Sequence, residues 1–176
     1  DDLAKRNTRL QSIQKAQTER RKLLDDLKTA LTAAYTDQAD VTVASEGETV
    51  ALSLPDKTLF DSKGLEISTS GKALLKSLAG ILTERPELDV DVVCHTDNVL
   101  PKDKSLADTW DWSLRRATNL VRLLIAEYNV NANQLTPVAK GEYYPATSNA
   151  TPEGRQKNRR TVLLLRPAMP PVPTAE

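Results

Sequence analysis

The stretch "LDVDVVCHTDN", residues 88–98, decides how the rest of the chain is read. Leu88 to Val93 is a largely apolar run of strand length, and it gives way abruptly to Cys94, His95, Thr96, Asp97 and Asn98. A carboxylate at the end of a buried strand is costly unless something meets it. The stretch therefore asks what Asp97 is for, and a later segment, "WDWSLRRATNL" at 110–120, brings Arg116 as a group that can face it.

Outward from this strand, the segment "TSGKALLKSLAGILTERP" at 69–86 sets Leu74, Leu75, Leu78, Ile81 and Leu82 on one face of a helix over about 70–84. Ser68, Thr69 or Ser70 serves as its cap and Pro86 ends it. Before it, "VTVASEGETVALSLPD" at 41–56 alternates in Val41 and Val43, turns through Glu46, Gly47 and Glu48, and alternates again in Val50, Leu52 and Leu54, the mark of a hairpin. A second helix is expected over about 110–128, with a buried stripe of Leu114, Ala117, Val121, Leu124 and Ile125. "QLTPVAKGE" holds a short strand, "YYPATSNATPEGRQKN" is a loop with one helical turn after Pro152, and "RTVLLLRP" is a closing strand. The sum is an α/β (α+β) fold of two layers, a βαβαβ arrangement on a mixed sheet with helices over one face.

Residues 1 to about 35 contain no glycine or proline, and a seven-residue spacing joins Leu3, Leu10, Gln17, Leu24 and Leu31, with Arg6, Ile13, Arg20, Leu27 and Ala34 completing the seam. This is a long amphipathic helix, either a coiled-coil stalk capable of making a homodimer or a single helix packed on its own domain. Gln17, Arg6 and Arg20 interrupt the seam. Three regions result: a helical stalk at 1–38, a folded domain at 39–167 and a proline-rich, disordered tail at 168–176.

Composition narrows the function classes. The 176 residues carry 24 basic and 24 acidic side chains, so no net field draws the chain to nucleic acid or an anionic surface. The cluster "GRQKNRR" at 154–160 has no interleaved aromatics and reads as a solvated or salt-bridged turn. With a single cysteine, Cys94, an internal disulfide or a cysteine-based metal site is excluded, and the thiol acts as a small hydrophobe. His95 is the only histidine and lacks ligands at metal spacing, so it is assigned a structural role; no metal or cofactor is expected. Ser105 and Ser113 have no glycine-framed elbow, and Asp97, Asp108 and Asp111 are read as caps and turn formers rather than as paired carboxylates of a glycoside hydrolase. The expectation is a non-enzyme. The pair Asp97 and Arg116 is either a plain salt bridge or a receptor for a zwitterion.

The sequence resembles the OmpA/MotB-type peptidoglycan-binding domain. The resemblance rests on "LPDKTLFDSKGLEIS", "HTDN", "DTWDWSLRRAT" and "GEYYPATSNATPEGRQKNRRT", in that order, from about Val50 to Pro167. It implies a periplasmic module that binds peptidoglycan non-covalently through the meso-diaminopimelate of the stem peptide, with Asp97 receiving the ammonium and Arg116 gripping the carboxylate. By the same implication Thr96 and Asn98 shape the loop and contact the ligand, Thr109 lines the pocket, and Arg159 supports the site or touches the ligand. Three residues depart from the family pattern: Cys94 replaces a usual glycine, Thr109 an asparagine and Trp112 a leucine, Trp112 being read as core or pocket wall. The loop at 99–108 is longer than in the simplest members. The implied role is an anchor to the cell wall, tethered to the outer membrane, as a lipoprotein for instance, or to the inner membrane by an upstream segment. The alternative is a stator-like assembly protein with a dimerising helix and a vestigial pocket.

Overall fold

The computed structural model describes residues 2–168. It contains helix α1 (Asp2–Ala34), strands β1 (Thr42–Glu46) and β2 (Thr49–Pro55), a single-turn helix α2 (Asp56–Leu59), α3 (Thr69–Thr83), β3 (Leu88–His95), α4 (Thr109–Tyr128), β4 (Leu135–Gly141), α5 (Pro152–Asn158) and β5 (Arg160–Pro167). The five strands form one mixed sheet in the order β1-β2-β5-β3-β4. All neighbours are antiparallel except β3 and β4, which run parallel because α4 carries the chain back between them. The two-layer reading and the mixed sheet are thereby confirmed.

Alternation along the strands explains the layering. Val50, Leu52 and Leu54 of β2, Leu163 and Leu165 of β5, and Leu88, Val90, Val92 and Cys94 of β3 all point to the helical side. There they meet Leu74, Leu75, Leu78 and Leu82 of α3 and Ala117, Leu120, Val121 and Leu124 of α4. The opposite face of the sheet carries the Asp91–Arg166 pair. Ser68 caps α3 by accepting from the Gly71 amide at 2.9 Å, and Asp108 caps α4 by accepting from the Asp111 amide at 2.8 Å.

Several expectations are corrected. Leu114 is not in the buried stripe of α4 but 45% exposed, because the buried face runs through Trp112, Ser113, Arg116, Ala117, Leu120, Val121 and Leu124. The single turn expected after Pro152 is the seven-residue α5, opened by Thr151, whose hydroxyl accepts from the Gly154 amide. Helix α2 had no counterpart in the sequence reading. As for α1, its second half packs on its own domain: Leu27 and Leu31 are buried, as is the adjoining Tyr35, whose hydroxyl donates to the Leu74 carbonyl at 2.8 Å. Its first half, including Leu3, Leu10 and Ile13, is exposed. Arg20, one of the interruptions in the seam, pairs with Glu48 of the hairpin turn at 3.1 Å. Of the proline-rich tail, only Ala168 falls within the described residues, and its amide donates to the Glu87 carbonyl.

Candidate functional site

One end of the sheet gathers the strand termini. β2 stops at Pro55, β3 at His95 and β4 at Gly141, and β5 begins at Arg160, with Pro55 and His95 both in register with Arg160. The residues that follow or precede these points are Asp56, Asp97 and Arg159, three charges delivered to one place by the register alone. The helical layer closes the place from one side with Phe60, Trp112 and Arg116. The result is a cavity of about 540 Å³ whose lining includes Asp56, Thr96, Asp97, Arg116 and Arg159.

Asp97 and Arg116 thus line the same cavity, but they do not pair with each other. Asp97, 3% exposed, forms an ion pair with Arg159 through Oδ2, while its Oδ1 accepts from the Val99 amide at 3.0 Å. Arg116, 2% exposed, pairs with Asp56. The picture of a single facing pair is replaced by two neighbouring pairs, Asp97–Arg159 and Asp56–Arg116. The pairs differ in exposure: the Arg159 side chain is 43% exposed, whereas Asp56 and Arg116 are enclosed. The guanidinium of Arg116 lies 4.0 Å from the centroid of Phe60 and 5.8 Å from that of Trp112, held between aromatic faces. Its Nε has no hydrogen-bond partner among the described residues, which leaves a donor inside the site. Burial pushes the Asp56 carboxyl up despite the guanidinium beside it.

Asp56 is the member that the sequence reading missed. Its signal was the same as that of Asp97, a carboxylate directly after an apolar strand, here in "LSLPD" at 52–56.

The remaining candidates divide. Thr96 lines the cavity, although its hydroxyl donates to the Asp97 carbonyl. Asn98 is exposed and does not line it. Thr109 is also absent from the lining: it is buried against Gly141, where a Cβ would come within 3.0 Å of the threonine hydroxyl. Gly141 itself has φ of 55°, the left-handed region that a tight exit from β4 requires. Trp112 is a pocket wall, as expected. Asn158, fully buried, accepts from the Ala146 and Thr147 amides and donates to the Thr147 carbonyl, fixing the loop after β4 beside the site.

The carboxylates weighed for hydrolysis do not converge. Asp108 caps α4, and Asp111 pairs with Arg115 at 3.0 Å; neither lines the cavity. The long loop is pinned to α4, since Arg115 donates to the Ser105 hydroxyl and carbonyl, and its Val99 and Pro101 form part of the cavity rim. His95 is buried, with Arg160 and Lys140 nearby; burial first, and then these cations, lower its pKa to about 4. Cys94 is buried in the core face of β3, and burial pushes its thiol up to about 12.

Residues 59–159 match the model of the OmpA family. Motility protein B of Bacillus subtilis is 33% identical over 130 residues, covering 74% of this chain and 49% of that protein. Probable lipoprotein YiaD of Escherichia coli is 30% identical over 127 residues, covering 72% of this chain and 56% of its own. The chain therefore spans about half the length of these relatives. Among solved structures, a MotB-like protein from Desulfovibrio vulgaris superposes with a TM-score of 0.75 at 22% identity over 85% of this chain and 95% of that one, a likeness of fold. The cell wall anchor of the T6SS from Pseudomonas aeruginosa superposes with a TM-score of 0.69 at 25% identity, covering 79% and 95%.

Proposed function

The chain belongs to the OmpA family, and from that membership we propose that it is a non-catalytic anchor that holds peptidoglycan by the side-chain zwitterion of diaminopimelate in the stem peptide. The observation that carries the reading is the pair of ionic contacts lining one cavity, one enclosed and one with its arginine exposed to solvent. An incoming ammonium takes the place of Arg159 at Asp97. The ligand carboxylate takes donors from Arg116, which Asp56, Phe60 and Trp112 hold in position, and a planar guanidinium can grip a carboxylate through two parallel hydrogen bonds. Because one cation replaces another, Asp97 is never left buried and unpaired, the state that would be costly. Thr96 shapes the turn, and Arg159 is the displaced support; Asn98 acts on the ligand only through its loop, and Thr109 only by seating the start of α4 against Gly141.

The relatives that name a motility protein, a lipoprotein and a cell wall anchor support an envelope setting. The reading places the domain in the periplasm, with α1 leading toward a membrane, the outer one in the first instance. A second reading is favoured by one observation: the exposed Leu3, Leu10 and Ile13 of α1 keep their heptad spacing free of the domain, as a helix that dimerises would. It gives a stator-like assembly in which the cavity matters less.

Isothermal titration with a diaminopimelate tripeptide and with its lysine counterpart tests the first reading. The lysine peptide lacks the carboxylate that Arg116 receives, so its affinity is expected to fall by roughly ten-fold or more, the equivalent of one charge-assisted contact. The Arg116→Lys variant is expected to lose most of that discrimination. Equal binding of the two peptides by the native chain would remove Arg116 from its role.

A further inference from the structure

Beyond the cavity, at the same end of the sheet, three aromatic rings stand in solvent. Trp110 opens α4 and is 40% exposed; Tyr143 and Tyr144 follow β4 and are 56% and 55% exposed. Trp110 and Tyr143 stack with centroids 5.1 Å apart and planes inclined by 22°. Lys140 lies 4.3 Å from the centroid of the Tyr144 ring. Large rings left in water at this density call for a partner.

The rings are not on a loose loop. Gly141 donates its amide to the Ser113 hydroxyl at 3.1 Å and accepts from the Thr96 amide at 2.9 Å. On the far side, Arg160 donates to the Tyr144 carbonyl, and Asn158 holds the amides of Ala146 and Thr147. Trp110 therefore backs Tyr143, and Tyr143 stands as a fixed plate with its other face open.

The register sets this plate beside the cavity. His95 pairs with Gly141, so Asp97 and Tyr143 each lie two residues beyond the same rung, on loops that leave adjacent strands. We propose that Tyr143, backed by Trp110 and flanked by Tyr144, stacks on a pyranose ring of the N-acetylated glycan that carries the stem peptide. This inference rests on the peptide-binding reading of the cavity, because a peptide held there brings its glycan to this end of the domain.

The chemistry selects a sugar. The axial C–H groups of a pyranose make one face apolar and slightly positive, which suits the negative face of an aromatic ring, while its equatorial hydroxyl and acetamide groups need polar neighbours at the edge. Lys140, over the Tyr144 ring, and Glu142, which precedes Tyr143 in the chain, are the charged groups next to these rings. A protein partner is disfavoured by the small extent of the patch, three rings broken by charged residues, against the roughly 800 Å² per partner of a stable interface. Nucleic acid is disfavoured by the neutral chain.

The test compares a purified disaccharide-tripeptide with the free diaminopimelate tripeptide by isothermal titration. The native chain is expected to bind the glycosylated form about 3- to 10-fold more tightly, the range of one aromatic stacking contact. In Tyr143→Ala and Trp110→Ala that advantage disappears while the free tripeptide binds as before; Tyr143→Phe, which keeps the ring, retains it. Equal affinity of the native chain for both ligands overturns the plate and leaves the cavity reading intact. Failure of the free tripeptide to bind overturns the cavity reading instead. A short N-acetylglucosamine oligomer then decides the plate separately: tryptophan fluorescence must change in the native chain and not in Tyr143→Ala, and no change in the native chain overturns it.

Discussion

Burying Arg116 would be costly without the counter-charge of Asp56. The pair and the rings of Phe60 and Trp112 hold the guanidinium in one orientation, so under the proposed function little side-chain freedom would remain to be lost on binding a carboxylate. His95 works in the opposite sense, since it is buried without a counter-ion and beside Arg160 and Lys140. Its folded pKa of about 4 lies below the ordinary 6.5, so the unfolded chain takes up the proton first as pH falls. The stability that comes from a neutral imidazole is complete above pH 6.5 and drains away from there toward pH 4. Unfolding free energies from urea titration at pH 7.5 and 5.0 are expected to differ by about 1–2 kcal/mol more in the native chain than in His95→Gln. At this scale the sequence was informative about Asp97 and Arg116, because each is a charge set against an apolar pattern. It was silent on which charge would meet which, because pairing depends on the alignment of Pro55, Arg160 and His95 across three strands. Asn98 and Thr109 were carried by resemblance alone, and neither side chain reaches the cavity.

The elements that position the site meet at a tight point between α2 and α3. A Cβ on Gly71 would fall far inside van der Waals contact with the Leu59 carbonyl, and that carbonyl also accepts from the Ser68 amide at 3.0 Å. Gly71→Ala is therefore expected to lower stability by roughly 1–3 kcal/mol despite the better helix propensity of alanine. It should also weaken peptide binding, since α2 begins at Asp56. Gly80, in the same helix with open space around it, is the control: Gly80→Ala should raise stability by about 0.5–1 kcal/mol in thermal or urea unfolding. Periodicity revealed α3, β3, α4 and β5 because their apolar spacing is regular. It hid α2, whose four residues are too few to show a period, and it misjudged Leu114, because Arg116 occupies a buried position where a hydrophobe was expected.

For the molecule as a whole, α1 has two halves with different duties. Leu27, Leu31 and Tyr35 belong to the same core as the sheet, whereas residues 2–19 touch solvent along their length. Removing residues 1–18 should leave the unfolding free energy within about 0.5 kcal/mol of the native value, as expected for exposed positions. Removing residues 1–35 takes three buried side chains from the core and should cost at least 4 kcal/mol or prevent folding. Sedimentation of the shorter truncation addresses dimerisation too, for a dimer that dissociates on losing residues 1–18 places the contact at Leu3, Leu10 and Ile13. The heptad spacing alone left the two uses of the helix open, because a seam that packs on a domain and a seam that packs on a twin have the same apolar period.

The way α1 is rooted has a mechanical outcome. A rise of about 1.5 Å per residue makes the protruding half a rod of roughly 27 Å, and no glycine or proline softens it before it enters the core. Tension applied at its tip is delivered to Leu27 and Leu31, and from there to the strands against which they are wedged, instead of being absorbed by a slack tether.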